Sequence, residues 1–264
     1  MIEPFVEKLC EEVRQTWGCT TAPIDLNRIA SEEGIELAPG DYGPQFHGRL
    51  EYLLDEHLFI MYYPAVFLAA SQARVRFTIA HELGHYYLSD HRQALLGGMS
   101  PECHIGFISD KVAEKQADAF AASLLIPGRQ IQAHIDKRGI MTLQAVRDMA
   151  CSFDVSLPCA IIRYVQYATE ACGVVVSEAG KMKYYIPSDE MAAIGFRYMT
   201  RQTDIPRISK AWELLSNGRH HEVDGMKTNS DQWYSPRPQS VELWEDSISL
   251  GYSNQAITLL SIMS

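Results

Sequence analysis

RFTIAHELGHYYL, residues 76–88, is an apolar stretch of helical period that carries two histidines and a glutamate. Val75, Phe77, Ile79, Ala80, Leu83 and Gly84 supply the apolar positions of a helix expected from Gln72 to about Leu88. On a helix, residues four apart lie on one face, so the imidazoles of His81 and His85 can reach a single ion. Glu82, one position on from His81, turns partly to the same side, where a carboxylate can hold and deprotonate a water. His81-Glu82-Leu83-Gly84-His85 is therefore the HExxH arrangement of a zinc-binding helix. Such polar groups are costly to bury without a partner. Gly84 leaves room for a close neighbour, although glycine costs about 1 kcal/mol relative to alanine in a helix interior.

A catalytic zinc site takes three protein ligands and keeps one position open. The next expected helix, over 110–125 and stopped by Pro127-Gly128, contains EKQADAFAASLLIP, residues 114–127. Glu114 and Asp118 are four apart and share a face opposite Phe120 and Leu124. Glu114 completes a set of two histidines and a glutamate, and Asp118 is placed to accept a hydrogen bond from the second ring nitrogen of His81 or His85. Zinc is the expected metal, and the same donors also suit manganese or iron(II). Tyr86, Tyr87, His91 and His104 lie near enough in sequence to be considered as stabilisers of an oxyanion, and none is assigned.

Outward from these helices, Phe5, Val6, Leu9, Val13 and Trp17 form one stripe of a first helix. A short helix opened by Asp25 and closed by Gly34 follows, then a strand over 35–37. Strands over 46–53 and 57–63 have a hairpin spacing. Residues 89–109 include Gly97-Gly98 and Ser100-Pro101 and are expected as a loop, with a length typical of functional lids. Helices over 142–152 and 157–168, joined by 153–156, resemble a helix-turn-helix, with Leu143, Val146, Ala150, Phe153, Val155, Ile161, Ile162 and Val165 at core-like spacing. Beyond 170 come a hairpin turning at Ala179-Gly180, a helix over 207–216, a polar stretch over 231–240, and a final hairpin of 241–250 with 255–262.

The two motifs together, RFTIAHELGHYYL and EKQADAFAASLLIP, resemble the signatures of the ImmA/IrrE-type metallopeptidases, with residues 20–168 covered. That resemblance implies His81, His85 and Glu114 as metal ligands and Glu82 as the base. It also implies a site similar to that of thermolysin, and cleavage of helix-turn-helix repressors in stress or mobile-element regulation. Many members carry a further histidine four residues after the second ligand. Here that position is Ser89, with His91 nearby.

The expected fold class is α+β. Residues 1–169 form a zincin-like helical metallopeptidase domain with a small β-hairpin sheet and the helix-turn-helix-like pair 142–168, and residues 170–264 a small accessory α+β domain. The expected function is a zinc endopeptidase acting on one protein, a helix-turn-helix transcriptional repressor. The alternative is a non-catalytic metal-containing regulator that binds DNA or a repressor. Glu82 argues against it, since a structural site needs no base and favours four protein ligands.

Composition bounds the partners. The formal net charge is −10, which disfavours attraction to nucleic acid or an anionic membrane. Within the helix-turn-helix-like pair, Arg147 and Arg163 are balanced by Asp148 and Asp154, so direct DNA binding is not expected. Arg74 and Arg76 read as a solvated helix start, and His220-His221 as loop or surface. No apolar run is long enough to span a membrane, and the acidic first residues do not suit a signal peptide, so a cytoplasmic protein is expected. The six cysteines (10, 19, 103, 151, 159 and 172) contain no CxxC pair and are expected to be reduced and buried.

Overall fold

The first helical stripe forms α1 (Pro4–Thr16), rotated by one position from expectation. Val6, Cys10 and Val13 are buried, while Phe5 is half exposed, because Cys10 serves as the small apolar residue that faces a neighbouring helix. The computed structural model of the chain describes residues 4–43, 46–65, 71–98, 110–138, 142–234, 240–250 and 254–262. Among these the fold is α+β, with eleven helices and two sheets. It divides into two compact units, the first of residues 1–128 and 150–156, the second of 129–149 and 157–264. Compared with a cut at 169/170, residues 129–149 and 157–169 group with the C-terminal residues.

In the first unit, Asp25 caps α2 (Leu26–Glu32) by accepting from the Arg28 N–H, and Gly34 with φ +69° ends it. The chain continues into β1 (Ile35–Gly40), β2 (Arg49–Leu53) and β3 (Leu58–Pro64). β2 and β3 form the expected antiparallel hairpin, with Leu50 opposite Met61. β1 runs parallel to β3 with Ile35 opposite Phe59, so the sheet order is β1-β3-β2. The strand near 57–63 is therefore central, and among the described residues β2 is an edge strand of the sheet.

Ser71 caps α3 (Gln72–Tyr87), accepting from the Arg74 N–H. The residues expected as a loop after it instead begin with a helix, α4 (Ser89–Leu96), which buries His91 and Leu95 on one side and ends at Gly97-Gly98. Four-residue spacing of two buried side chains is enough for a two-turn helix held by packing. Residues 99–109 lie outside the described ones, and with them His104 and Cys103. α5 (Asp110–Leu125) then packs against both α1 and α3. Arg14, only 3% exposed, donates to the Ser123 and Leu124 carbonyls at 2.8 and 3.3 Å and pairs with Glu11 at 2.6 Å. A cation there satisfies carbonyls that the end of α5 leaves unpaired. Arg76, expected in solvent, is half-buried and donates to the carbonyls of Ile24 and Asp154.

The second unit begins with α6 (Gly128–Arg138), α7 (Leu143–Phe153), whose last turn belongs to the first unit, and α8 (Leu157–Tyr167). Leu143, Val146, Ala150, Phe153, Val155, Ile161 and Val165 are buried as their spacing predicts, and Ile162 is half-buried. β4 (Cys172–Glu178) and β5 (Lys181–Pro187) turn at Ala179-Gly180, with φ of +50° and +74°, the signs that a tight hairpin demands. After α9 (Asp189–Ala193) and α10 (Lys210–Ser216) come β6 (Val223–Asn229), α11 (Ser230–Trp233), β7 (Glu242–Ser249) and β8 (Gln255–Ile262). All five strands pair antiparallel in the order β5-β4-β8-β7-β6. Met182, Met191, Phe196, Tyr234, Leu243 and Leu260 belong to one core cluster of this unit.

Among the described residues no helix is long and apolar enough to cross a membrane. Cys10, Cys19 and Cys172 are buried, as expected, whereas Cys151 is exposed.

Candidate metal centre

α3 and α5 cross in close contact at Gly84. A Cβ built there would stand 3.1 Å from Ala117 Cα and 3.2 Å from Phe120 Cβ, closer than carbon atoms normally approach. This approach brings Glu114, one turn before Ala117, over the two histidines that flank Gly84. His81 Nε2 and His85 Nε2 are 3.2 Å apart. The Glu114 carboxylate spans them, with Oε2 at 3.2 Å from His81 Nε2 and Oε1 at 3.5 Å from His85 Nε2. These three residues form the one group of metal-ligand type found among the described residues. A tetrahedral ion with bonds of about 2.0–2.1 Å sets its donor atoms about 3.3 Å apart, so both the spacing and the donor types fit a divalent metal.

Asp118 lies one turn along α5, where its Oδ1 is 3.0 Å from His81 Nδ1. Of the two histidines it was expected to serve, it meets His81. Burial alone would depress the His81 imidazole, but the hydrogen bonds to Asp118 and Glu114 and the Glu82 charge outweigh it and raise the pKa to about 10. The Glu114 carboxyl is held below the usual carboxylate range, chiefly by the His81 hydrogen bond. His85 is depressed by burial and by repulsion from His81. The carboxylates thus build a pocket of negative potential that selects for a positive charge between the rings.

Glu82 is 5% exposed. Burial pushes its carboxyl up to about 7, against the His81 charge and a backbone hydrogen bond from Leu50 that pull it down. The Leu50 contact comes from β2, and Gly48 lies just before that strand. A Cβ at Gly48 would meet Thr78 Cγ2 at 2.5 Å and Glu82 Oε1 at 2.7 Å, so only glycine lets the chain pass so near the carboxylate. Thr78 Oγ1 holds this approach by donating to the His47 carbonyl at 3.1 Å. The result is an open cleft of about 450 Å³, lined by His47, Gly48 and Arg49 on one side and by His81, Glu82, His85 and Glu114 on the other.

Arg74 also lines this cleft and donates to His47 Nδ1 at 3.0 Å. Sequence reasoning missed His47, Gly48 and Arg49, because folding of the sheet, not any periodicity, brings them to the site. A glycine just before a strand was the available signal. Tyr86 and Tyr87 point elsewhere, both donating to the Glu33 carboxylate at 2.9 and 2.6 Å. His220 bonds Ser249 Oγ at 2.8 Å and takes no part in a metal cluster.

An α+β unit with two helices that juxtapose HExxH histidines, a distant glutamate and a buried carboxylate is consistent with a metallopeptidase-like domain. Residues 46–157 match the family model described as the IrrE N-terminal-like domain, Peptidase_M78, a match that supports an ImmA/IrrE-type family for this segment. No curated protein shows a match to this chain.

Proposed function

We propose that the protein is a zinc-dependent endopeptidase that cuts one cognate protein, with His81, His85 and Glu114 as metal ligands and Glu82 as general base. The observation that carries this reading is the buried Glu82 carboxylate beside three donor atoms at tetrahedral spacing, in an open cleft whose lining includes Gly48 and Arg49 at the start of β2. When bound, zinc supplies the Lewis acidity that polarises a scissile carbonyl and lowers the pKa of water. Glu82, with its proton affinity raised toward neutrality, takes a proton from the attacking water and delivers it to the leaving amine. Water's oxygen joins the carbonyl carbon, the C–N bond breaks, and both products are closed-shell. Asp118 accepts from His81 Nδ1–H and so keeps the Nε2 lone pair toward the ion.

The edge strand β2 suits an extended substrate held through backbone hydrogen bonds, which carry little sequence information. Selectivity is then assigned to surfaces outside the cleft, in keeping with a peptidase part within residues 1–169 and an accessory part in 170–264. The substrate class that the family resemblance supports is a helix-turn-helix repressor, and a net charge of −10 suits a basic DNA-binding protein as partner. Direct DNA binding is disfavoured because Arg163, one of the two arginines of the α7–α8 pair, is 1% exposed and unavailable to a phosphate.

The test is incubation of the zinc-loaded protein with helix-turn-helix proteins sought in the neighbouring reading frames and with casein, using Glu82→Gln as the blank. A single cut in the repressor, slow or absent casein digestion, and a silent but zinc-binding Glu82→Gln are expected. Rapid casein digestion without repressor cleavage would leave a general peptidase as the better reading. Undiminished cleavage by Glu82→Gln would remove the assigned base.

A further inference from the structure

The face of α3 that carries His81 and His85 continues toward the start of the helix. Arg74, Thr78, His81 and His85 follow at intervals of four, three and four residues, so they form one stripe, and all of them line the cleft. At about 1.5 Å per residue, Arg74 stands about 10 Å along the axis from His81. The carboxylates of Glu114 and Asp118 gather at the His81 end, beside Glu82. The cleft is therefore acidic at one end and basic at the other. Arg49 also lines it, but is already paired with Glu51 at 3.1 Å. Arg74 has no carboxylate partner among the described residues. Its guanidinium, which can only donate, is held against the wall of the cleft by His47 Nδ1 at 3.0 Å. His47 is in turn tied to α3, where its carbonyl accepts from Thr78 Oγ1. Arg74 also stands in the first turn after the Ser71 cap, where a positive charge opposes the helix dipole, so the helix itself gains nothing from that charge.

We propose that Arg74 is a specificity-determining residue that binds a carboxylate of the substrate. The N–H groups not used on His47 are free to meet both oxygens of a carboxylate, the geometry in which a guanidinium binds best. An extended peptide advances about 3.3 Å per residue, so a span of about 10 Å sets the acid roughly two to four residues from the scissile bond. The carboxylate belongs to an Asp or Glu side chain or to a chain terminus, since the chemistry is the same. One acid in the cleft is compatible with a substrate that is basic as a whole, because the net charge acts on the entire partner and Arg74 on a single group. The proposal rests on the endopeptidase reading given above.

In the experiment, the zinc-loaded full chain and its Arg74→Gln and Arg74→Glu variants are given random-sequence peptides, made as C-terminal acids and as C-terminal amides. Helix-turn-helix proteins from the neighbouring reading frames are offered in parallel, and every cut is mapped by mass spectrometry. The acid nearest each cut is then changed to its amide, and binding of the labelled pair is read by fluorescence anisotropy in the Glu82→Gln background. Wild type should favour an acid at one position two to four residues from the cut and bind the acidic member about 3- to 10-fold more tightly. A preference confined to the C-terminal acids identifies the chain terminus as the source, and one shared with the amides identifies a side chain. Arg74→Gln should lose the preference yet cut the amide member as wild type does, and Arg74→Glu should favour Lys or Arg there instead. Cuts with no acid within four residues, or an acidic preference that survives Arg74→Gln, would overturn the proposal and leave the peptidase reading standing. Zinc-loaded wild type that cuts neither the peptides nor the proteins would overturn the peptidase reading, and this proposal with it.

Discussion

Replacing Gly84 by alanine tests whether the α3–α5 contact sets the geometry of the proposed ligands. The new methyl would meet Ala117 Cα at 3.1 Å, Ala117 O at 3.2 Å and Phe120 Cβ at 3.2 Å. Two of these atoms are backbone and one is a β-carbon, so no side-chain rotation makes room. Carbon atoms at rest sit about 3.5–4.0 Å apart, so the helices must separate by about 0.3–0.8 Å. Metal–ligand distances tolerate about 0.2 Å. Alanine returns about 1 kcal/mol of helix propensity, and overpacking costs about 1–3 kcal/mol, so overall stability should change little or fall by up to about 2 kcal/mol. Binding an ion must draw Glu114 back against the strain that separation relieved, so that strain reappears in the affinity as roughly a 5- to 150-fold loss. Thermal unfolding of the apoprotein and chelator competition read the two quantities separately. A small change in melting temperature with a large loss of zinc affinity is expected. Zinc affinity equal to wild type in a folded Gly84→Ala protein would refute the claim that this contact holds the ligands in place.

Asp118→Ala should weaken zinc binding by about 10- to 100-fold, measured by the same competition, because His81 loses the acceptor that orients its ring. Unchanged affinity would return Asp118 to a solvated helix face. Arg14→Ala removes the buried cation from the carbonyls at the end of α5 and should destabilise the protein by about 2–4 kcal/mol in urea unfolding. A loss under about 0.5 kcal/mol, the size of an ordinary surface change, would show that water replaces it. Glu245, wholly buried, accepts from the Ala211 N–H and Ser247 hydroxyl while its second oxygen has no partner, and burial raises its pKa. Its stabilising contribution is therefore full below the ordinary carboxylate range and lost as pH rises through the raised folded value. Glu245→Gln should flatten the decline in melting temperature as pH rises above the ordinary carboxylate range, and a slope matching wild type would count against this assignment.

Local chemistry was legible in the sequence. The cap at Asp25, the stop at Gly34 and the hairpin at Ala179-Gly180 all act within a few residues, so residue type alone specifies them. The shared face of His81 and His85 follows from helical periodicity, and Gly84 announced a close neighbour without saying which. Glu114 and Asp118 were legible because the next helix carries one acidic face against an apolar one. Tertiary structure decided what approaches those faces. The sequence named His91 only as a neighbour of the motif, and its burial beside His85 was decided by α4, a short helix with no side-chain cap of its own. Gly48 reaches Glu82 because the chain leading into β2 packs on α3, and β3 becomes the central strand because β1 pairs with it rather than with β2, the next strand in sequence. β8 likewise inserts between β4 and β7, a pairing set by burial on both faces. Periodicity records which side of an element is apolar, whereas the identity of its neighbour depends on long-range contacts whose free energy is shared among many residues and written at no single position.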